Sequence, residues 1–287
     1  MQYNLFLDTL RAYFYRYLPN PFGRDRKRYH FYELVKNRDL ILKRKIRHSG
    51  VTLPLNLGDF IQYWMFMEGA YEKKLIDFLL PYVKDRVFFD VGANIGSYTM
   101  SLSKAAKRIY SFEASRSNAA LLNSFVEVSG TDSVEVVNRA VSSISGEQFT
   151  IYLSPDTGGN NTAFCDFGKG CEIATTISLD QFVTERGIER VDVIKMDIEG
   201  SELAAFRGAH DLLSVHHPLL LVEFHSLVAK QAGWKLPVLY DLLVDYGYSV
   251  YELQKGKLSK FDRESLSSPE FYANLIFLYN KTPEVSR

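Results

Sequence analysis

The sequence predicts an α/β protein: an open, mostly parallel sheet with helices on both faces, preceded by a helical N-terminal extension. Three observations carry this. Short β-rich apolar runs alternate with helical periods from about residue 85 onward. A glycine turn, Asp90-Val-Gly92-Ala-Asn94-Ile-Gly96, stands where the first of those runs passes into a helix. Acidic residues close later runs, at Glu113, Asp197 and Glu223, and sheets of this class bind ligands at the carboxyl ends of their strands.

The elements follow in order. Residues 1–50 read as helical and amphipathic, interrupted by Pro19, Pro21 and Gly23. A second helical stretch spans about 57–84, with Tyr63, Trp64, Phe66 and Met67 as a buried face and Pro81 as a break. Val87 to Val91 is the first strand, and a helix runs from Gly96 to Ala106. Arg108 to Glu113 is the second strand, Ser117 to Val128 a helix, Val134 to Ala140 the third strand, and Phe149 to Leu153 an additional one. The run 154–171 is loop-like by its Gly, Asn and Pro content. Val191 to Met196 is the fourth strand, a helix covers about Gly200 to Leu213, and Leu219 to Phe224 is the fifth strand. A helix over Leu236 to Tyr246 and strands at Tyr248 to Leu253 and Asn274 to Tyr279 close the series. We divide the chain into a basic helical extension, 1–70, and an α/β domain, 71–287.

Composition bounds the function classes. With 46% hydrophobic and 24% charged residues, the 287-residue chain is globular rather than disordered or collagen-like. Two cysteines, Cys165 and Cys171, are too few for a disulfide scaffold or a zinc site, and free thiols are expected. No apolar stretch approaches the ~18–20 residues of a membrane span. Asp8, Arg11 and Arg16 fall where a secretory leader would be apolar, so a cytoplasmic location is expected. Formal charge is zero overall, yet residues 1–48 hold twelve Lys/Arg against four acids. That basic segment suits an anionic or membrane-surface partner, although charge runs more often serve solvation.

The glycine turn is the most informative motif. Its G-x-N-x-G spacing is neither a dinucleotide fingerprint nor a phosphate-binding P-loop, which disfavours a pyrophosphate ligand. Asp90 at the strand end suits a cationic or amino-bearing ligand. Glu113, about twenty residues beyond the glycines, stands where an acid accepts hydrogen bonds from two ribose hydroxyls. Together they describe a nucleoside that carries an amino acid, as in S-adenosylmethionine.

The segments DVGANIGSYT (90–99), SFEAS (111–115), VDVIKMDIEGSELAAFRGA (191–209) and HPLLLVEFH (217–225) resemble the FkbM family of S-adenosylmethionine-dependent methyltransferases. The resemblance implies a Rossmann-like sheet of seven strands with the last one antiparallel, and methylation of hydroxyls on sugars, glycans or natural products. It carries Asp90, Gly92, Ala93, Asn94, Gly96 and Glu113 over as cofactor contacts, with Asp197 beside them and Ala140-Val141 flanking adenine. Where a typical member has Glu-Pro after the second strand, this chain has Glu113-Ala114, so the acid is kept. Residues 1–70 fall outside the resemblance.

Methyl transfer to a poor hydroxyl nucleophile benefits from a general base, worth about 10²–10⁴-fold. The candidates are Asp197 and Glu199 after the fourth strand, and Glu223 and His225 in the fifth. The i, i+2 spacing turns each pair to one side of an extended backbone. His225 is the natural proton acceptor by its intrinsic pKa. Asp197 is alternatively a helix cap, Glu202 reads as a first-turn helix acid, and His216 and His217 as exposed loop residues. The acidic cluster with its histidine also has the donor types for Mg²⁺, but no spacing demands a metal and none is assigned. The competing functions are an RNA ribose 2'-O-methyltransferase using the basic segment, and a non-enzymatic cofactor-binding module. Strand four lacks the Asp/Asn-Pro-Pro-aromatic run of base amino-group methylation. Within the 154–171 loop, Gly158-Gly159-Asn160-Asn161 is expected to cover the acceptor side.

Overall fold

Two helices, α1 (Gln2–Tyr17) and α2 (Arg24–Val35), open the chain in a computed structural model that describes residues 2–17, 24–36, 38–154, 162–164, 168 and 170–279. A hairpin of β1 (Ile41–Lys45) and β2 (Thr52–Asn56) follows, then α3 (Phe60–Glu68) and α4 (Lys73–Val83). The hairpin corrects the expectation of a wholly helical extension. Leu53 and Leu55 point inward from β2 while Thr52 is exposed, a period of two that the Lys and Arg residues of β1 obscure in the sequence. The break between α3 and α4 lies at Gly69, not at Pro81. Pro81 sits in the last turn of α4, where its missing N–H removes a single hydrogen bond just before the helix ends.

The next half of the fold is β3 (Val87–Val91), α5 (Ser97–Leu102), β4 (Arg108–Phe112), α6 (Arg116–Ser129) and β5 (Val134–Val137). The chain then leaves the main sheet. β6 (Ala140–Val141), β7 (Gln148–Tyr152) and β8 (Cys171–Ile177) form a small sheet in the order β6-β8-β7. Ala140 therefore belongs to β6, against the expectation that it ends the third strand, and β8 with α7 (Leu179–Arg186) is absent from the sequence reading. Ser178 caps α7 by accepting from Gln181 N.

β9 (Val193–Met196), α8 (Glu202–Arg207), α9 (His210–His216), β10 (Leu219–His225), α10 (Ser226–Gln231), α11 (Leu236–Asp245), β11 (Tyr248–Gln254), β12 (Lys257–Lys260) and β13 (Tyr272–Tyr279) complete the chain. The single helix expected over 200–213 is two, because the chain turns at Gly208. A Cβ there would stand 2.4 Å from the Ser142 carbonyl oxygen. The main sheet has eight strands in the order β12-β11-β13-β10-β9-β3-β4-β5. Seven of them make the Rossmann-like sheet implied by the resemblance, and β12 extends its edge through an antiparallel pair with β11. β13 runs antiparallel to both β10 and β11, while β10, β9, β3, β4 and β5 are parallel.

Helices cover both faces because successive strand residues point to opposite sides. Phe89, Ile194 and Leu220 face one core with α7, α8 and α11. Phe88, Val193 and Leu221 face the other with α4 and α5. The N-terminal layer makes a third core: Phe31, Leu53, Leu55, Tyr63 and Phe66 pack together with Ile95 of the glycine turn and Leu122 and Phe125 of α6. Arg28 is buried inside this layer, paired with Glu68 and donating to the Tyr15 and Arg16 carbonyl oxygens at 2.9 and 2.6 Å. It is thus a structural cation that ties α2 to the end of α1. Among the described residues, no helix is long and apolar enough to cross a membrane.

Candidate active site

The strand order reverses at β3, whose neighbours are β9 on one side and β4 on the other. In open α/β sheets that reversal opens a crevice at the strands' carboxyl ends. A cleft lies there, with an empty volume of about 1170 Å³ counted out to its open mouth. Gly92, Ala93, Asn94, Glu113, Ala140, Asp197, Glu199 and Glu223 all line it, which brings together most of the residues singled out in the sequence.

Asp90 and Gly96 do not line it. Asp90 is fully buried beneath the turn, where its Oδ2 accepts from Thr99 N at 3.0 Å and from Thr99 Oγ1 at 2.6 Å. That oxygen holds the first turn of α5, while Oδ1, equally buried, has no hydrogen-bond partner among the described residues. Gly96 is the N-cap of α5 at φ 89°, and a Cβ on it would stand 2.2 Å from Leu122 Cδ1. Its role is the close packing of the turn on α6. Gly92 is tighter still: at φ 75°, a Cβ would lie 1.7 Å from the Asp197 carbonyl oxygen.

Glu113 follows β4 and is 8% exposed. Its Oε2 accepts from Asn94 N at 2.7 Å and its Oε1 from Ser115 N at 2.8 Å. Each carboxylate oxygen keeps a further lone pair for a diol. Burial pushes the carboxyl up to about 7, against the two backbone N–H bonds and Lys195, which favour the charged form. Ala140, Val141, Phe149 and Ile151 line the same cleft with Asn118 and Arg139, giving a mainly apolar wall for a flat heterocycle. A fixed carboxylate acceptor beside an apolar slot fits the nucleoside half of S-adenosylmethionine.

The other end of the cleft is acidic. Glu72, Asp197, Glu199 and Glu223 line it together with Tyr71, Tyr272 and Lys195. Lys195, 5% exposed, donates to the Gly92 carbonyl oxygen at 2.9 Å and pairs with Asp197 at 3.2 Å. Burial alone would lower its pKa, but Asp197, Asp90 and Glu72 outweigh that and raise it. Asp197 therefore pairs with a lysine and does not cap α8, whose N-cap is Ser201. Glu202 is structural, as expected: its Oε1 accepts from Ile198 N at 2.9 Å, closing the turn that carries Glu199.

Glu199 adopts a left-handed φ of 52°. Burial, then Asp197 and Glu202, push its carboxyl up to about 8. Burial, then Asp197 and Glu199, push Glu223 well above the ordinary carboxylate range. Ligand atoms of Glu199, Glu223 and His225 lie within 4.8 Å of one another. His225 stands outside the cleft lining, its ring edge-on to Tyr272 at 5.2 Å, and burial lowers its pKa so that it is neutral at pH 7. His216 and His217, expected in an exposed loop, are half-buried: His216 Nδ1 accepts from Val191 N, and His217 stacks on Tyr279 at 3.8 Å.

Lys195, Glu72, Tyr71 and Tyr272 are missed by sequence reasoning. Lys195 had a signal, a charge inside the four-residue buried strand β9. Glu72 had none, because Tyr98 Oη and Asn274 Nδ2, which donate to it at 2.9 and 3.1 Å, lie 26 and 202 residues away. From the 154–171 loop, Thr162 and Ala163 reach the cleft, and Thr162 Oγ1 donates to the Glu199 carbonyl oxygen at 3.0 Å. Gly158-Gly159-Asn160-Asn161 and Cys165 lie outside the described residues, while Cys171 is an exposed free thiol.

Comparison with known proteins adds the context of relatives. Residues 90–250 match the family described as the methyltransferase FkbM domain. The AMB antimetabolite synthetase AmbE of Pseudomonas aeruginosa is 25% identical over 256 residues, which take in 75% of this chain and 12% of AmbE. The hexuronic acid methyltransferase AglP of Haloferax volcanii is 27% identical over 191 residues, covering 66% of this chain and 77% of AglP. The crystal structure of methyltransferase FkbM from Methylobacillus flagellatus KT is 18% identical, with a TM-score of 0.45, over 68% of this chain and 44% of that one.

Proposed function

The chain belongs to the FkbM family of S-adenosylmethionine-dependent methyltransferases, and from that premise we propose that it methylates a hydroxyl of a sugar, glycan or related natural product. The observation that carries this reading is one cleft with two unlike ends. Glu113 and an apolar slot stand at the nucleoside end, and a pair of carboxyls with raised pKa, Glu199 and Glu223, at the other.

S-adenosylmethionine supplies an electrophilic methyl group on a sulfonium. Glu113 anchors the ribose diol, and the acidic end of the cleft favours a cationic centre there. Lys195 keeps that end from being purely repulsive: its ammonium fixes the Asp197 carboxylate and the Gly92 carbonyl, so the turn and the end of β9 hold one geometry. Glu199 and Glu223 cannot both ionise at little cost so close together, and they titrate as a pair. With both carboxyls raised, the pair gives up its first proton only toward pH 8, and the carboxylate so formed accepts the proton of the acceptor hydroxyl. His225, neutral and at the edge of the pair, passes the proton outward.

Similarity to a hexuronic acid methyltransferase supports the saccharide class. Lys195 is already paired with Asp197 and has three further carboxyl groups around it, so this end favours an uncharged acceptor over a uronate or a phosphodiester. The test is calorimetric titration with S-adenosylmethionine, followed by labelled-methyl transfer to neutral and uronate glycans. Absence of cofactor binding overturns the reading, and labelling of uronates alone overturns the acceptor preference.

A further inference from the structure

We propose that the outward face of the N-terminal layer docks on an anionic lipid surface. The inference rests on that layer alone and is independent of the acceptor proposed above. On α1, Asp8 and Ala12 are buried, while Leu10, Tyr13 and Phe14 are 51%, 38% and 64% exposed. The spacing i, i+4 puts Leu10 and Phe14 on the outward helix face, with Tyr13 at its edge, where its ring also packs edge-on to Phe66 at 5.6 Å. A single exposed apolar residue needs no explanation, but an apolar helix face does.

Basic groups bracket that face at both ends. Arg11 and Arg38 both pair with Asp8, at 3.4 and 2.6 Å, and remain about half exposed near the N-terminal half of α1. At the far end, the buried Arg28 is bonded to the Tyr15 and Arg16 carbonyls, which brings the exposed Arg26 and Lys27 to the C-terminal end of α1. An apolar face with a cationic rim is the pattern of a helix that lies in the headgroup region of an anionic bilayer.

Two other occupants fit less well. A second copy of the chain, related by a two-fold axis, would set the same cationic rims against each other. Single-stranded RNA is held by aromatic stacking platforms along a basic groove, whereas here an aliphatic residue, Leu10, shares the apolar face.

The test is cosedimentation of the full chain with vesicles of phosphatidylcholine alone or with added phosphatidylglycerol, at low and high salt. The expected result is retention by the anionic vesicles only, weakened roughly tenfold or more by salt. Leu10→Glu with Phe14→Glu abolishes it, and Arg26→Glu with Lys27→Glu weakens it, while both variants keep wild-type S-adenosylmethionine binding and circular dichroism. The second variant changes only exposed side chains, so it tests the idea even where the first fails to fold. Equal retention by neutral vesicles, no retention by either, or unchanged retention of the Arg26→Glu, Lys27→Glu variant overturns the proposal. Sedimentation velocity without lipid, and gel shift with single-stranded RNA, complete the test. Self-association or RNA binding lost in the same variants, without vesicle binding, assigns the face to those partners instead.

Discussion

The Lys195 ammonium donates to the carbonyl oxygen of Gly92 at 2.9 Å, across 103 residues of chain. The same lysine pairs with Asp197, whose carbonyl oxygen lies where a Gly92 side chain would stand. The glycine turn after β3 and the acidic turn after β9 are therefore one unit, shaped by close backbone contact and pinned by one buried cation.

That contact makes Gly92→Ala a sharper lesion than other glycine substitutions at positive φ. A left-handed alanine costs about 1–2 kcal/mol by itself. This should be the whole effect at Gly130, where a Cβ meets nothing within 4 Å. At Gly92 the Cβ would stand 1.7 Å from a carbonyl oxygen, so the turn must move. Urea denaturation with cofactor titration should show a mild stability loss and normal binding for Gly130→Ala, and lost binding for Gly92→Ala. Normal binding in both would show that the turn is not part of the cofactor site.

Lys195→Met should leave Asp197, Asp90 and Glu72 without their shared cation. Breaking a buried ion pair from one side costs about 3–5 kcal/mol, and the methionine chain fills the space without restoring the donor to Gly92. We expect a lowered urea midpoint and a weakened cofactor affinity. Stability equal to wild type would mean that the carboxyls around it are already protonated.

Glu113→Gln should be no milder than Glu113→Ala for cofactor binding. Both carboxylate oxygens accept from backbone N–H groups, those of Asn94 and Ser115. A glutamine amide nitrogen would meet one of those donors head-on. Hydrogen bonds to a charged group are worth about 1.5–3 kcal/mol, so titration should show roughly tenfold or greater weakening in both variants. Wild-type affinity in Glu113→Gln would remove the ribose role.

The parts legible in the sequence are those set by local pattern. The strands around Phe88-Phe89 and Leu219-Leu221 announce themselves as short apolar runs, and the glycine turn marks the cleft because its spacing is local. Glu72 and Lys195 became visible only through contacts between distant segments. Asp90 reads in the sequence as a strand-end acid, and only the fold shows that it is buried beneath the turn and bonded to Thr99. β1 and β2 were hidden by charge: Lys43 and Lys45 are exposed on a strand whose partner carries the inward leucines. Ala140 left its expected strand because Asn138, whose side chain donates to the Glu113 and Ala114 carbonyls, turns the chain there.

Stability without cofactor should fall as pH rises. Glu113 and Glu202 are raised to about 7 and Glu199 to about 8 in the fold, each chiefly by burial, against an ordinary value of 4.5. Between those limits the folded state binds more protons than the unfolded chain, so the slope of unfolding free energy with pH is negative. The lowered pKa of His225 and His216 acts the other way, weakening the fold as pH drops below about 6.5. Three carboxyls outweigh two histidines, so thermal melts should decline from about pH 5 toward pH 8, each kcal/mol shifting the midpoint by about 2–4 °C. A midpoint that climbs steadily to pH 8 would contradict the burial of these carboxyls.

The paired carboxyls predict how the rate should respond to pH and to chelation. A base that shares one proton between Glu199 and Glu223 loses activity as the pair takes up its second proton. The rate should rise from neutral pH through about pH 8, where the pair loses its first proton, and Glu223→Gln should flatten that limb and lower kcat by about 10²–10⁴-fold, the usual contribution of a general base. Cofactor affinity, set at the Glu113 end, should change little. Because Glu199, Glu223 and His225 also offer the atoms a divalent ion takes, the same assay should be run after EDTA treatment. A shared proton leaves the rate unchanged. Loss of activity with EDTA, restored by Mg²⁺ or Mn²⁺, would replace the proton by a cation that binds and polarises the acceptor hydroxyl.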